Sequence, residues 1–174
     1  MSDRSGGVWL RVAASALALP CFLFGCALHF APLPRESSLR LSDAVQDGDA
    51  TRRASMRLLL QGLDADVAGR SNAALSSYER AIQIDATNPY AYLALARHEV
   101  DAEHWDRASE ALDQAALLFG EEGAPGVEAH LDGLRGAAAL GKGYGAEAEP
   151  LLDRASRLAP SVWSDGRLSP EELR

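Results

Sequence analysis

One pattern of small and large side chains, present three times along the chain, limits the folds that this sequence can adopt. Each copy has a small residue, a large residue four positions later and another small residue three positions after that. The copies are Ala74, Tyr78 and Ala81; Ala108, Leu112 and Ala115; and Ala148, Leu152 and Ala155. Residues at these offsets share one face of a helix, where the small side chains let a neighbouring helix approach closely. Copies that begin at positions 74, 108 and 148 have the spacing of an array of helix pairs.

A second set of small residues keeps the same intervals. Gly62 and Ala96 are separated by the same number of residues as the first two copies of the pattern. Ala96 and Gly136 are separated by the same, larger number of residues as the second and third copies. The larger separation means that extra residues lie between the second and third copies. We expect them in the segment 119–125, because its two glycines and one proline cannot continue a helix.

The middle copy most clearly resembles a known family. The resemblance to tetratricopeptide repeats rests on Tyr92-x2-Leu95-Ala96, on Ala108-x3-Leu112-x2-Ala115 and on the connection Ile84 to Pro89. It covers roughly residues 51–160 and implies an all-α fold, a right-handed α-solenoid of about three helix-turn-helix pairs. The implied repeats are about 51–86, 87–120 and 126–160. The outer copies depart from the family pattern at Gln61 and Arg135, where an apolar residue is usual.

Local signals place the ends of the helices. The first helix is expected to begin near Thr51, a plausible cap, and the glycine-containing stretches 69–71 and 141–145 are expected to turn the chain. The segment 102–104 should make the equivalent turn in the middle repeat.

The last residues, 161–174, contain one further helix signal. Ser169, Pro170 and Glu172 match a capping box with proline at the first helical position. The sequence therefore predicts a C-terminal turn and a short capping helix. We expect Trp163 and Leu168 to anchor this helix over the exposed apolar edge of the third repeat.

The first residues resemble the leader of a bacterial lipoprotein. The apolar run 12–24 is too short to span a bilayer and has a length typical of a signal-peptide core. Leu23 and Gly25 precede Cys26 as in a lipobox. The resemblance implies that residues 1–25 are a lipoprotein signal peptide and that Cys26 is the lipid attachment site.

An uncleaved signal anchor is the alternative to this processing. Pro20 and His29 inside the apolar span disfavour it. Residue Ala27 resembles the residue after the cysteine in lipoproteins sent to the outer membrane of a double-membrane bacterium. The expected location is therefore the cell envelope, lipid-anchored at the periplasmic face of the outer membrane, with an inner-membrane signal anchor as the alternative.

Residues 26–50 are predicted to form a flexible linker after the acylated cysteine. Pro32 and Pro34 favour extended structure, and 47–49 is a polar turn. Within the linker, Leu39–Val45 has the spacing of a short helix that packs on the first repeat.

Charge and motif content restrict the function classes. The net charge of −8, from 17 basic and 25 acidic residues, argues against a nucleic-acid partner, because phosphate contacts need clustered cations. His98 and His104 lack the spacing of a helical zinc site, and 141–145 lacks the P-loop pattern. The segment 165–172 resembles half of a calcium loop, but Trp163 stands where an earlier ligand is needed. We expect no catalysis, cofactor, metal or small-molecule substrate.

Protein binding is the function that the family resemblance implies. Relatives bind peptide segments in a groove lined by the first helix of each pair. The corresponding residues here are Tyr90, Leu93, Arg97, Leu59, Leu63 and His130. An arginine beside a tyrosine and leucines could hold a partner's carboxylate next to an apolar side chain. The alternative is that Leu59 and Leu63 pack against the Leu39–Val45 segment.

Two functions of different classes follow. The first is a lipid-anchored scaffold whose repeats bind a protein or peptide partner, as similar lipoproteins do in pilus-secretin or outer-membrane complex assembly. The second is a structural subunit of a larger envelope complex, attached through its edges with the groove empty.

Overall fold

The computed structural model describes residues 39–120 and 126–174. Over these residues the chain forms one 3-10 turn and eight α-helices, with no strand. The turn is Asp43–Gln46. The helices are α1 (Ala50–Val67), α2 (Ser71–Ile84), α3 (Pro89–Asp101), α4 (Trp105–Phe119), α5 (Val127–Gly141), α6 (Gly145–Leu158), α7 (Pro160–Trp163) and α8 (Pro170–Leu173). The predicted all-α class is confirmed, whereas the predicted signal peptide and Cys26 lie outside the described residues.

Six of the helices form three consecutive pairs, α1 with α2, α3 with α4, and α5 with α6. Each second helix also packs against the first helix of the next pair, and α1, α3 and α5 contact one another in order. This stacking makes a helical solenoid with the number of pairs that the repeat spacing predicted. Within the two described ranges, no helix has both the length and the apolar content needed to cross a bilayer.

The turns inside the three pairs have the same backbone geometry. Gly69, Glu103 and Gly143 all have left-handed backbone conformation, with φ of 68°, 59° and 86°. In each turn the following N–H donates to the carbonyl five residues earlier, at 2.8, 2.9 and 2.8 Å. This arrangement ends the first helix and reverses the chain. These turns are separated by the same two intervals that separate the small-large-small copies.

Close contacts between paired helices explain the small residues of the pattern. A β-carbon added to Gly62 on α1 would lie 2.4 Å from the ring of Tyr78 on α2. In the third pair, a β-carbon on Gly136 would lie 2.8 Å from Leu152. In the first and third pairs, the large residue of the pattern therefore occupies the space that a glycine on the partner helix leaves open.

Polar caps set the starts of α1 and α3. The Asp49 side chain accepts from the Arg52 N–H at 2.8 Å, so Asp49 is the cap of α1 rather than Thr51, the residue predicted from the sequence. Asn88 caps α3, and its side-chain amide donates to Ser55 on α1 at 2.9 Å. Both Asn88 and Ser55 are fully buried, so this bond links the first two repeats inside the core.

The segment before α1 belongs to the folded domain. Leu41 is fully buried and Ala44 is 7% exposed, and both lie in the main apolar cluster. The prediction of a flexible linker over 26–50 is therefore wrong for residues 39–46, which the apolar core holds in place. The short helix expected within Leu39–Val45 is a 3-10 turn, Asp43–Gln46.

The C-terminal segment forms the predicted capping box, but the short helix that follows the box does not lie where the sequence predicted it. The Ser169 N–H donates to the Glu172 carboxylate at 2.9 Å, and the Glu172 N–H donates to the Ser169 hydroxyl at 3.2 Å. However, α8 packs on α1 and not on the edge of the third repeat. After α6 the chain runs back across the array. Trp163 and Leu173 bury their side chains against the first helices of the pairs, and this burial holds the returning segment in place.

Candidate partner-binding face

The side of the array formed by α1, α3 and α5, here called the first-helix face, contains the six predicted binding residues. Five of them are buried: Leu59, Leu63, Leu93 and His130 are 0% exposed and Arg97 is 1% exposed. The sixth, Tyr90, is half-buried. The expectation of an open groove is therefore wrong for five of the six residues, whose side chains have almost no accessible surface.

The two ends of the domain cover this face together. The Leu41 N–H donates to the carbonyl of Leu173 at 2.9 Å, and the Ser42 N–H donates to that of Arg174 at 2.8 Å. The Arg174 guanidinium also binds Asp64 on α1 at 2.5 Å. The N-terminal and C-terminal segments thus hold each other over the first helices.

Leucines from the cover and from α1 share one apolar cluster. Leu41, Leu59 and Leu63 are all fully buried within it, so the alternative in which Leu59 and Leu63 pack against the 39–45 segment is the arrangement observed. Burying one leucine side chain contributes about 1.5–3 kcal/mol. Uncovering the face would expose several such side chains at once.

His130 on α5 connects both covering segments. Its Nδ1 accepts from the Trp163 indole N–H at 3.2 Å, and its Nε2 lies 3.3 Å from the carbonyl of Leu39. Because Nδ1 is an acceptor, Nε2 must carry the hydrogen that reaches the carbonyl. Burial lowers the pKa of His130, although the Leu39 bond and the nearby Glu172 act in the opposite direction. The imidazole is therefore neutral and structural.

Asp66 on α1 is the centre of a buried polar cluster. Its carboxylate accepts from the Arg97 guanidinium at 2.5 Å, from the Tyr78 hydroxyl at 2.8 Å and from His98 Nδ1 at 2.9 Å. Burial alone would raise the pKa of Asp66, but the His98 bond, the Arg97 charge and the Tyr78 hydroxyl lower it below its ordinary value. Burial and the Asp66 carboxylate raise the pKa of Tyr78, so its hydroxyl remains a donor.

Arg97 therefore has a different role from the one that the sequence suggested. Its terminal nitrogens bind Asp66 at 2.5 Å and Asp101 at 2.6 Å, and its side chain is 1% exposed. A partner's carboxylate would have to displace these bonds. We assign Arg97 to holding α1 and α3 together.

The other residues weighed for chemistry are separated by the fold. His98 binds Asp66, whereas His104 Nδ1 lies 2.8 Å from Glu99. The segment 141–145 forms the turn between α5 and α6, as predicted. Among the described residues, no group of three or more histidine, cysteine or carboxylate side chains is placed to hold a metal ion.

A cleft that the sequence reasoning missed lies where α3 and α5 meet the C-terminal segment. This α3–α5 cleft has a volume of about 340 Å³ and lies between the ends of α3 and α5, the start of α4 and the C-terminal segment. Residues Glu103, Trp105, Leu140 and Arg167 are among those that line it. One signal was available in the sequence, because Glu103 stands where the equivalent turns have Gly69 and Gly143.

Comparison with known proteins agrees with this architecture. Residues 68–124, which include α2, α3 and α4, match the family described as tetratricopeptide repeat. No curated protein and no solved structure matches the chain. The matched segment also contains the middle repeat, Glu103 and the turn that carries it. Residues 68–124 thus match the tetratricopeptide repeat family, and helix pairs of this kind serve as scaffolds for protein–protein interaction.

Proposed function

We propose that this protein is an interaction scaffold held in a bacterial cell envelope by a lipid on Cys26, at the periplasmic face of the outer membrane. Its helix pairs bind a protein partner, and the tether keeps that partner near the membrane. The observation that carries the proposal is the stacked tetratricopeptide array, preceded in the sequence by the lipobox-like residues Leu23, Gly25 and Cys26.

The start of the folded domain limits how far the scaffold extends from its anchor. Residues 39–46 are part of the core, so only the segment 26–38 can act as a tether. A fully extended chain of this length spans at most about 45 Å. The proposed partner is therefore a protein at or very near the same membrane. Two or more acyl groups would make the attachment stable, since one chain alone gives only marginal membrane binding.

The anchor is tested with a matched pair of cysteine variants expressed in a double-membrane bacterium. The wild-type protein and Cys21→Ser are expected in the outer-membrane fraction, with an intact mass that begins at Cys26 and includes acyl groups. Cys26→Ser is expected to lack the acyl mass and the lipid attachment. Wild-type protein that keeps the segment 1–25 and has no acyl mass would refute lipid anchoring and favour the signal anchor.

The scaffold function is tested by photo-crosslinking in membranes, followed by mass spectrometry. One crosslinker replaces Leu140 at the rim of the α3–α5 cleft, and the other replaces Leu117 on α4. These side chains are 57% and 73% exposed, so neither substitution disturbs the core. A partner protein captured reproducibly at Leu140 supports a scaffold that binds through the array. Capture only at Leu117 would favour a structural subunit attached through the outer side of its second helices, and capture at neither position would contradict the proposal.

A further inference from the structure

The α3–α5 cleft has the size and lining of a binding site. Its volume of about 340 Å³ falls within the range of ligand pockets, about 300–1,000 Å³. Its apolar lining comes from Trp105, Leu134, Leu140, Leu152, Trp163 and Leu168. Leu140 is 57% exposed, so apolar surface is present at the opening as well as inside. None of the six predicted binding residues lines this cleft, so it is an apolar concavity separate from the part of the first-helix face that the chain ends cover.

Two carboxylates from the end of α3 add a negative charge to the cleft. Asp101 binds Arg97 with one oxygen, yet its side chain is 58% exposed. Glu103 is exposed, and within the described residues it has no cation within ion-pair distance. Both carboxylates can therefore accept hydrogen bonds from a cation outside the domain.

The backbone at Glu103 is unfavourable for its residue type. Its φ of 59° lies in the left-handed region, where the equivalent turns use Gly69 and Gly143. A residue with a β-carbon costs roughly 1–2 kcal/mol in this conformation, and glycine avoids that cost. The turn itself therefore does not need a glutamate, and strained residues of this kind cluster at functional sites.

We propose that the α3–α5 cleft binds a segment of a partner protein that inserts an apolar side chain against Trp105 and Leu140. The same segment places an arginine or lysine beside Asp101 and Glu103. This proposal deepens the scaffold function and rests on it. Charge complementarity supports this partner, because the chain as a whole has a net charge of −8 and the exposed acids stand next to an apolar wall. The Trp105 ring can also attract the cation through its face.

Arg167 sets the direction in which the segment binds. It lines the cleft from the C-terminal segment, whereas Asp101 and Glu103 line it from the end of α3. A basic residue of the partner is attracted by the carboxylates and repelled by Arg167. The basic residue therefore belongs on the α3 side, and the apolar residue lies between it and Arg167.

The test is a selection of random heptapeptides, displayed on phage, against the full-length protein extracted from membranes in detergent. We expect the recovered peptides to contain arginine or lysine next to leucine, isoleucine or phenylalanine. Affinities of the recovered peptides are then measured for three variants. Glu103→Gln removes the charge, Leu140→Ser removes apolar surface, and Glu149→Gln makes the same charge change on the exposed side of α6.

Glu103→Gln is expected to weaken peptide binding by about tenfold, because a hydrogen bond to a charged group is lost. Leu140→Ser is also expected to weaken it, and Glu149→Gln to leave it unchanged. Glu103→Gly separates binding from folding: it should bind as weakly as Glu103→Gln while the protein becomes as stable as the wild type or more so. Equal affinity for Glu103→Gln and Glu149→Gln would overturn the proposal, as would recovered peptides without basic residues.

The peptide selection and the membrane crosslinking fail in different ways. If a partner is captured in membranes but peptide binding does not depend on Glu103, the cleft assignment is wrong and the scaffold function stands. If selected peptides bind through Glu103 but no partner is captured, the peptide specificity of the cleft is supported, but the envelope scaffold on which the partner segment rests is contradicted. A crosslink from Leu140 to a second copy of this chain would replace the partner segment by self-association and overturn the proposal.

Discussion

Replacing Gly62 by alanine tests the contact between α1 and α2 on which the repeat pattern depends. A β-carbon at this position would lie 2.4, 2.7 and 2.9 Å from three ring atoms of Tyr78. Non-bonded carbon atoms prefer a separation of about 3.5–4.0 Å, so the nearest overlap is about 1 Å. Either the ring or one of the two helices must move.

The surroundings of Tyr78 determine how much this movement costs. The side chain is fully buried, and its hydroxyl donates to Asp66 at 2.8 Å, so the ring cannot turn away without breaking that bond. Overpacking a core costs about 1–3 kcal/mol, and we expect the upper end of this range here. Alanine recovers about 1 kcal/mol because it favours the helix more than glycine does. Gly62→Ala should therefore lower the free energy of unfolding by about 2 kcal/mol.

Gly145→Ala is the matched control, because no atom lies within 4 Å of an added β-carbon at the start of α6. It should be neutral or stabilise by up to about 1 kcal/mol. Both free energies come from urea unfolding followed by far-ultraviolet circular dichroism at pH 7. Equal stability of the Gly62 and Gly145 variants would refute the steric argument.

A double variant then tests the pairing itself. Gly62→Ala combined with Tyr78→Leu places in the first repeat the pair that the middle repeat has at Ala96 and Leu112. The decrease in the free energy of unfolding of the double variant should be smaller than the sum of the two single decreases by at least about 1 kcal/mol. The effects of substituting residues in contact are not additive. Strictly additive decreases would show that the two positions do not share this space.

Three further measurements address the buried polar groups and the covered face. As the pH falls below 6.5 the free energy of unfolding should decrease, because burial lowers the pKa of His130 and the unfolded chain binds the proton more strongly. Urea midpoints measured for His130→Gln should lose most of this pH dependence, and an unchanged dependence would contradict the assignment. Asp66→Asn should cost about 3 kcal/mol, the lower end of the range for breaking a buried ion pair, because the buried Arg97 guanidinium then keeps only its bond to the exposed Asp101. Asp113→Asn is the control: its side chain is 76% exposed, and the change should alter stability by less than about 0.5 kcal/mol. Leu173→Ala should lower the free energy of unfolding by about 2–5 kcal/mol, because the side chain is fully buried. It should also speed hydrogen exchange at the Leu41 amide, which donates to the Leu173 carbonyl. Exchange at that amide as slow as in the wild type would show that the two ends do not hold each other.

The sequence was sufficient to predict the helix pairs, their number and their turns. Ala74, Tyr78 and Ala81 determine how α2 meets α1, and the same local requirement recurs in each pair, so it is visible as a spacing. The capping box at Ser169 was predictable for the same reason, since it depends on residues only three positions apart. The candidate groove residues were correctly placed on the first helices, because helix register follows from these intervals.

The tertiary structure alone decided which surfaces are accessible. Leu41 and Leu173 are far apart in the chain, and no periodic pattern connects them, yet together they close the first-helix face. Arg97 had the sequence context of a recognition residue, and its role changed because Asp66, from a different helix, binds it inside the core. Contacts of this kind depend on how separate segments meet in space. The repeat spacing therefore determined the scaffold, and the long-range packing of the two chain ends determined which of its surfaces remain open.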